Sequence, residues 1–387
     1  MDVIKDESPC EGRVLWMTDT FEDRNGVSTV LKAIHREICR RNLPIDLLIC
    51  SHTVTTTDHL IALTPVSEFS FPFYRQQPVR IPNFLSVQRI FRKGNYTRVI
   101  CSTEGPMGMA ARWLKTMFGV ETSFYLHTDW ISFAKGVLKM EQPGLNRLQK
   151  VLRAYYKGFD NIFVLNTDQQ RWLGSSAMRI DPSRVFLTAH WADEVFTRQC
   201  EPFSSGCIDD RNGPTILYAG RLSKEKGVLE LPAILAMIRS VLPEIQMIIA
   251  GTGPAEAELK RLMPEASFTG WVEHECLPDI YRTADLLLLP SRFDTFSCVV
   301  LEALTCGLPV VAYNTKGPKD ILEDRVNGFL VNKPEEMAGR AVEFFLDPEV
   351  HSSMKQAAVA RAENYQAETI MDRLMQDIGL SKQISIA

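Results

Sequence analysis

The first apolar run, Val14-Leu15-Trp16-Met17, is short and unbroken, as a strand buried on both faces requires, and it ends in the polar Thr18-Asp19-Thr20. Beyond Asn25-Gly26 the pattern changes period. Val27, Val30, Leu31, Ile34 and Ile38 recur along one helix face, and Ile45 to Cys50 reads as a second strand. The same alternation continues with Val99-Ile100-Cys101, a helix from Met107 to Met117, a strand Ser123 to Leu126, a helix Leu145 to Lys157 and a strand Asn161 to Leu165. It stops between Phe196 and Pro214, where Cys200 to Gly206 and Asp209 to Gly213 have a linker's composition. It then restarts: strands at Thr215–Tyr218, Ile245–Ala250, Leu286–Leu289 and Pro309–Ala312, with helices at Val228–Val241, Ala255–Met263 and Ser297–Cys306. After Asp347-Pro348 only helical patterning remains, in Glu349–Asn364 and Glu368–Gly379. Strands alternating with helices imply parallel sheets, so the chain reads as α/β with two doubly wound domains. The expected boundaries are 1–195, a linker at 196–213, 214–363, and a helical tail at 364–387 that crosses back to the first domain.

Composition narrows the class. With 387 residues, 45% hydrophobic, 23% charged and a net charge of −4, the chain has two domains' worth of core and is neither fibrous nor disordered. The first ten residues are acidic and polar, and no stretch reaches the ~18–20 uncharged apolar residues of a membrane span, so a cytoplasmic location is expected. The nine cysteines include no C-x-x-C pair and the seven histidines no H-E-x-x-H, so no metal is expected. Charge is uneven. Residues 1–200 hold 25 Lys/Arg against 20 Asp/Glu, and Phe69 to Lys157 alone holds 14 against 4. Within that block Arg75, Arg80, Arg89, Arg92, Lys93 and Arg98 stand among Phe69, Phe71, Phe73, Tyr74, Phe84, Ile90 and Phe91, followed by Lys135, Lys139, Arg147, Lys150, Arg153 and Lys157. Such a block suits an anionic membrane surface, or a solvated face whose aromatics are core. No basic-aromatic recognition module is present, and nucleic acid is excluded as a partner.

In open parallel sheets ligands bind beyond the carboxyl ends of strands, so the strand-to-helix loops carry the information. One is Tyr218-Ala219-Gly220-Arg221-Leu222-Ser223-Lys224-Glu225-Lys226-Gly227, with two cations five residues apart that suit a diphosphate. By spacing alone a solvated loop fits as well. A second is Pro290 to Pro309, where a strand leads into a helix whose first N–H groups, around Thr295 to Cys298, make an anion site. Asp294 precedes that helix and Glu302 lies inside it, placed to bind sugar and ribose hydroxyls, or simply to serve as a helix-end charge and a surface residue.

The spacing Asp294-x7-Glu302 within P-S-R-F-D-T-F-S-C-V-V-L-E-A-L-T-C-G-L-P, together with Gly220-Arg221-Leu222 and Lys226-Gly227, resembles the retaining nucleotide-sugar glycosyltransferases of family 4. Ile249 to Pro254, Phe268 to Val272, Leu277 to Asp285 and Asn327 to Val331 extend the resemblance over nearly the whole chain. Gly251-x-Gly253 alone is weak, because Glu256 stands where a dinucleotide fingerprint needs its third glycine. Thr18 to Phe21, Asn25 to Ser28, Ser102 to Gly108 and His127-Thr128-Asp129 are similar to a bacterial branch that glycosylates membrane lipids.

The resemblance implies the GT-B fold, two Rossmann-like domains facing a cleft, with the acceptor side in the first and the nucleotide-sugar side in the second. It implies a metal-independent retaining hexosyltransferase of mannose or glucose type, without a cofactor beyond its UDP- or GDP-linked donor. Arg221 and Lys226 would hold the diphosphate, Glu302 the ribose and Asp294 the sugar hydroxyls. The amides of Thr295, Phe296 and Ser297 would face sugar and phosphate, Gly253 and Val272 would lie along the nucleotide, Gly26 would let backbone approach the diphosphate, and His127 would sit near the transferring sugar. Asp19 and Glu104 are candidates for the acceptor side. Asp294 and Ser297 depart from the family's usual Glu and Gly. The expected acceptor is a membrane lipid or lipid-linked glycan, with the protein peripheral on the inner face of the cytoplasmic membrane. A soluble glycan or small-molecule acceptor and a non-catalytic nucleotide-sugar-binding protein stay open.

Overall fold

The computed structural model describes residues 12–23, 26–70, 78–136, 138–197 and 213–380. The expected linker lies almost wholly outside them, as do Asn25, Phe71, Phe73, Tyr74 and Arg75. The chain forms two compact units, Met1–Thr188 with Ala367–Ala387, and Ala189–Gln366. These divisions fall at 188/189 and 366/367, where the sequence reading puts them after 195 and 363.

The first unit holds a seven-stranded sheet of β1 (Arg13–Thr18), β2 (Ile45–Cys50), β3 (Leu60–Leu63), β6 (Tyr96–Cys101), β7 (Glu121–Leu126), β8 (Asn161–Val164) and β9 (Val185–Leu187). Their order is β3-β2-β1-β6-β7-β8-β9, every pair parallel. Val14 to Met17 of β1 are fully buried, which is why the run carries no polar alternation. The chain winds outward from β1 in one direction and from β6 in the other, so a crevice opens at the carboxyl ends of these two neighbours. A separate antiparallel hairpin, β4 (Ser67–Ser70) with β5 (Pro78–Ile81), and the short β3 were not foreseen, their four-residue length giving no periodicity to read.

The basic block is reorganised by the fold. Phe84–Lys93 is a helix capped by the Asn83 side chain, which accepts from the Leu85 and Ser86 amides. It buries Val87 and Phe91, and Phe84 meets Trp113 edge-on at 5.8 Å. Phe91 is therefore core rather than surface, whereas Phe69 remains 48% exposed. Arg80 pairs with Glu68, and Arg98 with Glu121.

The Ala367–Asp377 helix belongs to the first unit. It buries Ile370, Met371, Leu374 and Met375. Arg40 and Arg41, at the end of the Gly26–Arg41 helix, donate to Glu368 at 2.7 Å and to Asp372 at 2.5 Å. Glu37, only 4% exposed, also accepts from Arg40.

The second unit holds β10 (Thr215–Ala219), β11 (Gln246–Ala250), β12 (Ser267–Gly270), β13 (Leu286–Leu289), β14 (Val310–Tyr313) and β15 (Gly328–Val331). The order is β12-β11-β10-β13-β14-β15, again all parallel, and the winding reverses between β10 and β13. Ile216, Ile249, Leu288, Val311 and Phe329 form its core with Ile234 and Phe344 from covering helices. Both sheets are thus Rossmann-like, each with its own carboxyl-end crevice.

Burial rather than charge should hold the last helix. Leu374→Ala is expected to destabilise the protein by about 2–4 kcal/mol and Arg41→Ala by less than about 1 kcal/mol, measured by equilibrium urea unfolding.

Candidate functional site

In the second unit the site begins as a backbone framework. Gly220 N donates to Ala250 O at 2.9 Å, Leu222 N to Thr252 O at 3.0 Å, and Ala255 N back to Leu222 O at 2.9 Å. A Cβ on Gly251 would stand 2.0 Å from the Gly220 carbonyl, and one on Gly253 2.3 Å from that of Leu222. These two glycines therefore exist to seat the β11 loop on the β10 loop, which a dinucleotide fingerprint does not require of them. Gly227, at φ 71°, places its Cα where a Cβ would lie 2.0 Å from Pro290 O, and Gly317 N donates to Asp294 O at 3.1 Å. Four loops, after β10, β11, β13 and β14, are thereby held backbone to backbone.

On this framework Lys226 Nζ donates to Asp294 Oδ1 at 2.5 Å. Burial pulls the Lys226 pKa down, but the Asp294 charge and hydrogen bond outweigh it and keep the ammonium above its usual value. Four polar atoms in these loops are buried without a partner in the protein: Asp294 Oδ2 and the hydroxyls of Ser223, Ser291 and Ser297. Each represents about 1–3 kcal/mol of unsatisfied hydrogen bonding, which a ligand rich in hydroxyl or phosphate oxygens would relieve. Arg221 is exposed beside them, its carbonyl accepting from Tyr218 OH at 3.0 Å.

Ser297 has φ 73° and ψ 71°, the left-handed region, immediately before the Cys298–Thr305 helix. This backbone explains why glycine is common at the position. Phe296 turns its ring inward, 4.8 Å from His190 and 6.1 Å from Tyr365, so an apolar side chain in a packed pocket leaves it only its backbone for a ligand. Thr295 is half-buried between Asp294 and Phe296. Glu302 keeps different company from Asp294: its Oε2 accepts from Tyr281 OH at 2.8 Å, and burial raises its pKa. His274 and Asp193, 3.2 Å apart, supply the charges nearest to it. Val272 is half-buried two residues past Gly270, itself at φ 70° and closing β12, and Trp271 beside it is 64% exposed.

In the first unit the crevice of β1 and β6 opens into a cavity of about 660 Å³. Asp19, Glu104 and His127 all line it. Asp19 accepts from Thr103 Oγ1 at 2.5 Å and from Met107 N at 3.0 Å, at the start of the Pro106–Phe118 helix, so both of its oxygens are engaged in structure. Burial nevertheless pushes its pKa up to about 6. Glu104 accepts from Tyr156 OH at 2.7 Å, and burial raises it to about 7. His127 stacks on Tyr125 at 4.7 Å, and burial drives its pKa down to about 3, so it is a neutral imidazole at physiological pH. Gly26 opens the Gly26–Arg41 helix, and a Cβ there meets nothing within 4 Å, so no packing among the described residues demands glycine. Its neighbour Val27 lines the cavity.

The fold therefore gathers Lys226, Asp294 and the loop holding Ser297 in one crevice, and Val27, Asp19, Glu104 and His127 in the other. Sequence reading gave no individual role to Tyr281, His190, Ser223 or Ser291. The two serines stood just past strand ends within the quoted motifs, a position that was itself the available signal. No group of three or more ligand-type residues able to hold a metal occurs among the described residues, and none of their helices is long and apolar enough to cross a membrane.

Comparison with known proteins agrees with this architecture. The model described as Glycosyltransferase Family 4 matches residues 24–190, and that for Glycosyl transferases group 1 matches residues 209–361. The chain therefore carries the domains of both glycosyltransferase models, one in each half. A GDP-mannose-dependent alpha-mannosyltransferase of Corynebacterium glutamicum is 32% identical over 56% of this chain and 55% of its own length. An alpha-D-kanosaminyltransferase of Streptomyces kanamyceticus is 30% identical over 58% and 60%. The matches thus span little more than half of these relatives. Among solved structures, sucrose-phosphate synthase from Thermosynechococcus elongatus superposes with a TM-score of 0.73 at 16% identity, covering 95% of this chain and 99% of that one. The HepE protein of Anabaena in complex with UDP gives 0.71 at 16% identity with the same coverage. At such identities these neighbours establish the GT-B fold.

Two features of this chain can be tested on stability. Between pH 4.5, the ordinary Glu value, and about 7 the folded protein retains the Glu104 proton that the unfolded chain has released, so rising pH disfavours folding there. Glu104→Gln removes this, and its melting temperature relative to the wild type should climb steadily across that window. Ser297→Gly and Ser297→Ala both remove the unpartnered hydroxyl, but only glycine relieves the left-handed strain, so the Gly variant should be about 1 kcal/mol more stable than the Ala variant, as read by thermal melting.

Proposed function

We propose that this protein is a retaining hexosyltransferase that moves mannose or glucose from a UDP- or GDP-sugar to a hydroxyl of a membrane lipid or lipid-linked glycan. The observation that carries the reading is the β10–β13 crevice, where Lys226, Arg221 and four buried, unsatisfied polar atoms converge on loops of fixed backbone. A nucleotide diphosphate sugar supplies hydroxyls and phosphate oxygens of the kind these groups lack. The name of the Corynebacterium relative supports a GDP-linked donor, and the UDP complex of the Anabaena neighbour a UDP-linked one.

In this reading the sugar leaves as an oxocarbenium-like species, and catalysis consists mainly in stabilising the departing diphosphate. Arg221, the charged Lys226 and the N–H groups at the start of the Cys298–Thr305 helix do so, without calling on a metal. Asp294 holds Lys226 in place through Oδ1 and offers Oδ2 to a sugar hydroxyl. Glu302, steadied by Tyr281, takes the ribose. The acceptor hydroxyl attacks from the leaving-group side and gives its proton to the departing phosphate oxygen, which retains configuration. His127, being neutral, serves as a hydrogen-bonding group toward hydroxyls rather than as a cation. Exposed Lys135, Arg147 and Lys150 support contact with an anionic leaflet.

Nucleotide release from a panel of UDP- and GDP-sugars, with and without mixed phospholipid vesicles, tests the proposal: one donor should be turned over, faster with lipid. Lys226→Ala and Glu302→Ala should each lower that release at least about a hundredfold with unchanged circular dichroism. Near wild-type turnover in both would overturn the donor-site assignment.

A further inference from the structure

Asp19, Glu104 and His127 form only part of the wall of the 660 Å³ cavity in the first unit. Much of the remainder is hydrocarbon. Phe133 comes from the Trp130–Gly136 helix, Leu148 and Val151 from the Gln142–Tyr156 helix, and Phe69 and Val79 from the β4–β5 hairpin. Phe69 is 48% exposed and Val151 63%, so the apolar lining runs out to the molecular surface instead of closing over. The two lining helices carry Lys135, Arg147, Lys150 and Arg153 and not one Asp or Glu. Of these, Arg147 and Lys150 stand on the same exposed helix face as Val151.

This combination selects among ligands by chemistry. A free sugar or soluble glycan would leave its hydroxyls against Phe133, Leu148 and Val151, where nothing satisfies them. A wholly apolar ligand would bury the Glu104 carboxyl and the His127 ring against hydrocarbon. A molecule with a hydroxyl-bearing head and a hydrocarbon chain meets both walls, and its volume suits a cavity of this size. The cations complete the match, since they flank the open apolar rim where a bilayer with anionic lipids would lie.

We infer that the cavity binds one hydrocarbon chain of a bilayer lipid, with the lipid's hydroxyl-bearing head at Asp19, Glu104 and His127 and the chain passing between Phe133, Leu148 and Val151 to the rim. Naming that head as the glycosyl acceptor rests on the transferase reading above. The chain site itself does not.

The test uses the full chain and n-alkyl glycerol monoethers of four to ten carbons, kept below micelle formation and titrated by calorimetry. Affinity should rise about fourfold per methylene until the cavity is filled, then level off. Leu148→Trp should bring that levelling to a shorter chain, and Val151→Asp should weaken the longest ether more than tenfold while sparing the shortest. Both variants should keep the wild-type circular dichroism and melting temperature, and Lys226→Ala should leave the chain-length slope unchanged. An affinity independent of chain length, or the same slope and plateau in both cavity variants as in the wild type, overturns the inference. The protein should also sediment with phosphatidylglycerol/phosphatidylcholine vesicles and not with phosphatidylcholine alone; binding to neither overturns the bilayer as the source. A slope in a protein that releases nucleotide from no donor keeps the chain site and sinks the transferase reading, whereas donor turnover with a flat series does the reverse.

Discussion

The second crevice depends on how closely its loops approach one another. Where Gly251 meets Gly220, Gly253 meets Leu222 and Gly227 meets Pro290, no side chain separates one backbone from the next. Amides and carbonyls of adjacent loops bond directly, as Leu222 N does to Thr252 O and Gly317 N to Asp294 O. Lys226 and Asp294 come from loops 68 residues apart in sequence yet meet at 2.5 Å because of this framework. Rigid backbone also lets buried hydroxyls such as Ser223 and Ser291 persist without partners, since loops free to relax would turn them toward water. Preorganisation of this kind is what electrostatic stabilisation of a leaving group needs.

The two crevices use burial for opposite electrostatic ends. In the second unit an opposite charge accompanies the half-buried ion, so Lys226 stays protonated. In the first, no opposite charge among the described residues offsets the loss of water at Glu104 or His127, and both move toward their neutral forms. Burial that disfavours charge at Glu104 and His127 makes that end of the cavity a better neighbour for hydrocarbon than fully ionised groups would be.

The alternation of apolar runs and helical faces was enough to read the two wound sheets, because strands such as Val14–Met17 and Leu286–Leu289 are buried on both sides and leave no other interpretation. The loops after β10 and β13 drew notice through Arg221, Lys226, Asp294 and Glu302, but spacing alone left a solvated loop equally open, and only the family resemblance gave these residues roles. The hairpin of β4 and β5 was not, since four-residue strands have no period. The apolar wall was hidden for another reason. Leu148 and Val151 look like ordinary members of an amphipathic helix, and only tertiary packing shows that Val151 faces outward and Leu148 a cavity. Tyr281 was missed because its role, holding the Glu302 carboxylate, is a contact between helices that no local pattern announces.

The closing helix, Ala367–Asp377, joins a unit that is otherwise made of residues before 189. On the ribosome the first unit therefore emerges early and incomplete, with the surface beside Arg40 and Arg41 waiting for a partner that has not been synthesised. All of Ala189–Gln366 must be translated in between, which at about 5–20 residues per second takes roughly ten to thirty-five seconds. During that interval the nascent chain can finish its second sheet before its first unit is sealed.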